Sequence, residues 1–369
     1  MELLEQMISK GYVSVQHEET LNRYIYNYTQ GCTFDHMWNS VTEKCRGLIV
    51  DGNNDIIARP FVKFYNYEEI EDKSVVPNSL SYRVFDKKDG SLGILWWDDY
   101  CMPHIATRGS FSSEQAMWAS KFFDREITFA PDRVALDYLR NYLLDYTIDN
   151  NGLYHLKRVK KTLLFEIVYP EDRHIVDYGN EESLTLLAII DNETGKEDEP
   201  ETLSDYFTVI KSYDGIKDWE KIRDLFSGDN AEGFVVRFSN GFRVKLKFAS
   251  WFEQNRLLNG LSTRRILDYI MEGRLDNLAA MVAKLNEENR IYFKKLVCDF
   301  YSQYAQIEFS ALMDYRDDFE TDKEAAECFL KSPYSHILFN KRKGKDYSNI
   351  IWKIIKKQTK NKTFVEEDA

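Results

Sequence analysis

AEGFVVRFSNGFRVKLKF, residues 231–248, places an Asn240-Gly241 pair between two runs that alternate apolar and polar positions. Asn-Gly is a strong signal for a two-residue hairpin turn. With that turn, Ser239 pairs with Phe242, Val236 lies opposite Lys245, and Phe234 lies opposite Lys247. Side chains alternate between faces along a strand. Glu232, Phe234 and Val236 are therefore expected on one face with Arg243, Lys245 and Lys247. Val235, Val244, Leu246 and Phe248 are expected on the core face. One account of the charged face is cross-strand pairing in solvent, worth ~0.2–1 kcal/mol per pair. The other is an anion site, with two ammonium groups aimed the same way.

The rest of the chain bears on that choice. Its 369 residues suffice for one large or two ordinary domains. Residues 45–50, 81–85, 91–97, 162–168 and 183–190 read as short strands bounded by turn residues. A helix is expected over 113–126, capped by Ser112 or Ser113, and another over 130–146. DNETGKEDEPET (191–202) reads as an acidic loop. Beyond about residue 250 helical periods dominate. LSTRRILDYIMEG and LDNLAAMVAKLNEEN both read as helices. Phe293, Val297, Phe300, Tyr304, Ile307 and Ala311 mark one face of a further long helix. The expected architecture is α+β over 1–249, followed by a small all-helical domain over 250–369.

Composition narrows the setting. A net charge of −12 argues against general attraction to nucleic acid, but leaves room for a local basic groove. Locally basic runs occur at 155–161 and 341–362. The five cysteines are widely spaced and form no CxxC pair, which fits a reducing cytoplasm and disfavours zinc. No apolar run approaches the ~20 residues of a membrane helix.

A second stretch raises the chemistry. VFDKKDGSLG, residues 84–93, puts Lys87 and Lys88 before an Asp89-Gly90 pair that reads as a tight turn. Either lysine could be turn decoration or a nucleophile. A lysine becomes nucleophilic when burial or neighbouring cations depress its pKa from about 10.4, and Lys245 and Lys247 are expected to supply such cations. A lysine attacking the α-phosphate of ATP needs cations around the phosphates, a divalent metal with acidic groups to hold it, a ribose contact and an apolar slot for the base. Arg46, Arg59, Lys63, Arg108 and Glu166 offer such groups on separate segments.

These segments resemble, in order, the motifs of the covalent nucleotidyltransferases. Lys87-Lys88-Asp89-Gly90 is similar to that superfamily's KxDG, FEIVYP around Glu166 to its third motif, EGFVVR to its fourth and VKLKF to its fifth. The CRGL segment, the RPFVKFYN segment and YPEDRHIVDY resemble the T4 RNA ligase 1-like RNA ligases more closely. An all-helical C-terminal domain is a further trait of that family.

The resemblance implies an ATP-dependent RNA ligase using Mg2+ or Mn2+. It selects Lys87 as the nucleophile, with Lys88 a solvated or phosphate-near neighbour. It implies that Lys245 and Lys247 contact the α-phosphate, that Arg46 and Lys63 hold the β and γ phosphates, and that Glu166 meets the ribose. Glu232 would organise metal. Tyr65, with Phe64 beside it, would sit near the nucleotide, the ring responsible being left open. The implied partner is RNA with 5′-phosphate and 3′-hydroxyl ends, including nicked tRNA read by the helical domain. Two positions depart from the family. Arg108 stands where relatives carry lysine, keeping the charge with a planar fork. Trp251 stands where they carry tyrosine, which removes a phenol. A DNA ligase, a capping-type enzyme or a non-catalytic RNA-end binder are the alternatives. The first two are disfavoured by the helical tail, and the last by retention of every motif residue.

Overall fold

The computed structural model describes residues 2–128, 134–226 and 230–362. The chain divides after Trp251 into two compact units. In the first, the strands Val13–Glu18, Arg23–Tyr28, Arg46–Asp51 and Ile56–Ala58 form an antiparallel meander. A larger sheet runs in the order Glu197–Asp198, Ser183–Asp191, Lys161–Val168, Ser91–Trp97 and Pro103–Ala106. Thr208–Val209 adds to Ser183–Asp191 in parallel. A third sheet orders Ser212–Tyr213, Tyr82–Lys87, Gly233–Phe238, Arg243–Lys247 and Tyr65–Asn66. Its last pair is parallel.

The larger sheet is the core's centre. Lys161–Val168 is buried at almost every position, as expected of a strand covered on both faces. Ile94, Trp97, Leu164, Phe165 and Leu186 are fully enclosed there. The helix Glu114–Phe123 packs its Ala116, Ala119 and Phe123 inward, and Ser113 caps it by accepting from the Ala116 amide. The second expected helix is shorter than its pattern. Val134–Leu143 is helical, whereas Leu144–Ile148 is a strand paired with Tyr154–Val159. Its expected start, residues 130–133, lies outside the described residues. The β-branched Thr147 and Ile148 favour the extended form.

The hairpin differs from its expected register by one residue. Arg237 pairs with Arg243, Val236 with Val244 and Val235 with Lys245. The loop holds three residues, Ser239, Asn240 and Gly241. The Gly241 amide donates to the Phe238 carbonyl at 2.8 Å, and the Phe238 amide donates to the Phe242 carbonyl at 2.9 Å. Gly241 takes φ +86°, the left-handed position of a three-residue hairpin loop with a bulge. Because side chains have period two, that slip moves Phe234 and Val236 into the core beside Val244 and Leu246. Val235 joins the lysines on the other face.

The second unit is helical among its described residues. It includes Thr263–Met271, Leu275–Val282, Glu287–Met313, Asp322–Phe329, Ser335–Arg342 and Ser348–Gln358. Ser262, Asn286 and Thr321 cap three of these through their side chains. Asn286 cuts the expected 275–289 helix in two, because its side chain starts the long helix by accepting from the Asn289 amide. On that helix Phe293, Phe300 and Ala311 are buried, and Val297, Tyr304 and Ile307 are half-buried. No described helix is long and apolar enough to cross a membrane.

Candidate active site

Three rows of side chains cross one face of the third sheet. Gly233 stands opposite Lys87 on one neighbouring strand and Lys247 on the other. Val235 likewise stands between Phe85 and Lys245, and Arg237 between Arg83 and Arg243. The arginine row is neutralised: Glu197, Glu199 and Glu201 of the acidic 191–202 segment bond all three guanidiniums. Part of that segment is thus the edge strand Glu197–Asp198 rather than loop.

Glu232 reaches the lysine row because of its neighbour. Gly233 has φ +149°, and a Cβ there would lie 2.0 Å from the Leu246 carbonyl oxygen. Only glycine takes this backbone without strain. Strict alternation would point Glu232 to the core side; instead its carboxylate bridges Lys87 Nζ at 2.5 Å and Lys247 Nζ at 2.7 Å. It is 2 % exposed.

The electrostatics differ from the sequence expectation. Burial acts to lower the Lys87 pKa, but the Glu232 and Glu166 carboxylates outweigh it and hold the ammonium above the ordinary lysine value. The depressed lysine is Lys245. Burial, then Arg46, Lys87 and Lys247, push it well below the ordinary value. Lys247 is lowered by burial against the pull of Glu232.

Asp89-Gly90 is not a hairpin turn. Lys87 ends a strand of the third sheet, and Ser91 begins a strand of the larger one. Lys88, Asp89 and Gly90 carry the chain across. Asp89 is buried and accepts from the Ile175 and Val176 amides at 2.9 and 3.0 Å. The Asp89 amide donates to the Tyr178 hydroxyl at 2.8 Å. A Cβ on Gly90 would meet the Ile167 carbonyl oxygen at 2.5 Å and Glu166 Cγ at 2.8 Å, so glycine allows the crossover to lie on Glu166. Lys88 points elsewhere: its Nζ bonds Glu181 at 2.5 Å, Thr185 at 3.0 Å and Ser183 at 3.1 Å. It is neither solvated nor beside Lys87's carboxylate.

Trp251 supplies a donor after all. Its indole Nε1 donates to Asp89 at 3.3 Å, and Lys247 Nζ lies 3.4 Å from its ring centroid.

A second cluster lies around Tyr28. Arg108 donates to the Tyr28 hydroxyl at 3.3 Å, and Lys63 Nζ lies 5.3 Å from its ring. Burial would raise the phenol's pKa, but Arg46, Arg108 and Lys63 together bring it below its usual value. Phe64 and Tyr65 divide the labour. Phe64 lies under Lys245 at 4.7 Å and Arg46 at 5.8 Å. Tyr65 packs against Lys63 instead, 4.9 Å away, and its hydroxyl donates to Glu43 at 2.9 Å. Arg59 does not join the cluster, since its side chain donates to the Asn192 carbonyl at 2.7 Å.

Sequence reasoning did not single out Tyr28 or Tyr178, which the fold brings to Arg108 and Asp89. Tyr28 ends an ordinary alternating strand, and no local signal marks it.

Lysines from two strands, Lys87 and Lys247, thus converge on one buried carboxylate, Glu232. The sequence profile of the RNA ligase family matches residues 44–252, more than half of the chain. The chain belongs to that family. An RNA ligase of Rhodothermus phage RM378 is 21% identical over 338 residues, covering 76% of this chain and 74% of that protein. A putative bifunctional polynucleotide kinase/RNA ligase of Autographa californica nuclear polyhedrosis virus is 27% identical over 169 residues. That match covers 42% of this chain and 22% of the viral protein. Among solved structures, an archaeal ATP-dependent RNA ligase aligns with TM-score 0.45 and 11% identity, covering 89% of this chain and 85% of that one. A putative ATP-dependent DNA ligase from Aquifex aeolicus aligns with TM-score 0.46 and 13% identity, covering 84% and 80%.

Proposed function

We propose that this RNA ligase works through a lysyl-AMP on Lys87. Lys87 Nζ, once deprotonated, attacks the α-phosphorus of ATP. A P–N bond forms, the bond to the bridging oxygen of the β-phosphate breaks, and pyrophosphate leaves. AMP then passes to an RNA 5′-phosphate, breaking the P–N bond and forming a phosphoanhydride. Finally a 3′-hydroxyl attacks the 5′-phosphorus, loses its proton to solvent and expels AMP. What supports this reading most is the convergence of Lys87 and Lys247 on Glu232, with Lys245 one row away.

Each residue then has a task. Lys245 and Lys247 neutralise the α-phosphate as charge develops on it. Burial and neighbouring cations depress Lys245, and an anion beside it favours its charged form. Arg46, Lys63 and Arg108 take the β and γ phosphates, and Glu166 takes the ribose hydroxyl. Phe64, rather than Tyr65, is the ring beside the α-phosphate lysine.

The described residues contain no group of three or more metal-ligating side chains. That would suit a magnesium-type ion, which needs only one or two carboxylates from the protein. Glu232 is the side chain that would hold it, and the ion when bound would supply further neutralisation of the polyphosphate. Lys87 is held protonated chiefly by Glu232, so any displacement of that carboxylate would lower its pKa.

The helical unit is proposed to select RNA, with a broken stem-loop such as nicked tRNA as the favoured form and repair as its role. A sealing assay tests this. Nicked stem-loop RNA, single-stranded RNA and nicked DNA compete for the enzyme with ATP and Mg2+. Preferential sealing of the stem-loop supports the reading; preferential sealing of nicked DNA defeats it.

A further inference from the structure

Most lysines of the site region are held by carboxylates. Lys87 and Lys247 share Glu232, and Lys88 bonds Glu181. Lys63 is held differently. Its Nζ lies 4.2 Å from the Trp38 ring centroid, 4.9 Å from Tyr65 and 5.3 Å from Tyr28. Among the described residues no carboxylate forms a salt bridge with it, and Glu69 acts on it only through space.

The rings brace one another. Tyr28 meets Trp38 edge to face at 5.0 Å and 89°, and Trp38 meets Tyr65 at 6.2 Å and 80°. The backbone fixes each wall. The Trp38 amide donates to the His36 carbonyl at 2.8 Å, and the Met37 amide to the Cys32 carbonyl at 3.0 Å. Asn39 and Thr42 close the following turn, the Asn39 amide donating to Thr42 Oγ1 at 2.9 Å and the Val41 amide to Asn39 Oδ1 at 2.9 Å. Glu43 holds both other parts, accepting from the Tyr65 hydroxyl and, through its carbonyl, from the Lys63 amide at 2.8 Å.

A carboxylate partner would orient Lys63 but cancel its charge. Aromatic faces orient an ammonium through their quadrupoles and add no formal charge. We propose that Trp38, Tyr65 and Tyr28 form an aromatic box that positions the Lys63 ammonium for the polyphosphate of ATP without a salt-bridged counter-charge. The proposal rests on the assignment of Lys63 to the β and γ phosphates given above. Tyr65 is then a positioning residue acting through Lys63, and Trp38 becomes a determinant of ATP use that carries no polar contact of its own to substrate.

The test compares Trp38→Ala, Trp38→Phe and Lys63→Ala in two reactions. One is lysyl-AMP formation across a range of ATP concentrations. The other is ATP-independent sealing of pre-adenylylated RNA, which lacks the β and γ phosphates of ATP. Lys63→Ala and Trp38→Ala are each expected to raise the KM for ATP about tenfold. Trp38→Phe, which keeps a ring, is expected to restore it to within about threefold. Sealing by Trp38→Ala is expected to stay within about twofold of the parent. If Trp38→Ala leaves the KM unchanged while Lys63→Ala raises it, the box does not position the lysine. Equal loss in both reactions without rescue by phenylalanine would make Trp38 merely structural and overturn the proposal. If Lys63→Ala itself leaves the KM unchanged, the polyphosphate assignment fails and the box falls with it.

Discussion

The two units display their cations in opposite ways. In the first, Lys87, Lys245 and Lys247 are largely enclosed and lie close enough to move one another's pKa. In the helical unit, Arg264, Arg265, Lys353, Lys357, Lys360 and Lys362 are exposed. Thr263 and Arg264 bond the backbone of residues 359–362, which brings the two basic segments side by side. Lys356 there is paired with Asp268. Enclosed charges act in a low dielectric and act strongly on a bound phosphate. Exposed charges are screened, and attract a polyanion in a salt-dependent way. The first arrangement suits phosphoryl chemistry and the second suits holding a chain of phosphates.

That contrast breaks first at Lys87. Lys87→Ala is expected to abolish the covalent adduct formed with labelled ATP, while Lys88→Ala keeps most of it, since Lys88 is tied to Glu181, Ser183 and Thr185. The reverse pattern would put the nucleophile on the wrong lysine. Lys247→Ala comes next, with lysyl-AMP formation slowed about 10²–10³-fold, the scale of losing one preorganised charge partner. An equal loss from Lys353→Ala would erase the distinction between the units.

Gly90→Ala tests the crossover that delivers Lys87. The new Cβ would meet backbone at 2.5 Å, so a stability loss of about 1–3 kcal/mol is expected in urea unfolding. An unchanged midpoint would show that the close approach is not real. Glu232→Gln addresses the pKa balance. Burial lowers Lys87 and the carboxylates raise it, so removing one charge must move the lysine's titration to lower pH. The check is the pH dependence of Lys87 labelling by an amine reagent in ligand-free protein, read by mass spectrometry. A shift to higher pH contradicts the assigned balance. The smallest effect belongs to the exposed cations. Replacing Lys353 and Lys357 by alanine should flatten the salt dependence of RNA binding by about one unit of slope per lost phosphate contact. An unaltered slope would return that run to a solvated surface.

Much of this was legible beforehand where the cause is local. The five strands anticipated before residue 200 are present, because apolar runs bounded by turn residues carry their own signal. Ser113 caps its helix as expected. The charged segments were legible, but not how their side chains pair. Nothing in the residues near Lys87 shows that Glu232, distant in sequence, is its partner.

By itself, the sequence determined most element types and the α+β order followed by helices, whereas the preference for Lys87 over Lys88 rests on the resemblance of Lys87-Lys88-Asp89-Gly90 to a family motif. Tertiary structure alone decided the hairpin register, and with it the burial of Phe234 and Val236. A three-residue loop and a two-residue loop share the same Asn-Gly signal, and only packing against the strand Tyr82–Lys87 chooses between them. It also decided which cations face carboxylates and which face rings. Charge state depends on what a folded chain brings within a few ångströms, and residue order does not encode that distance.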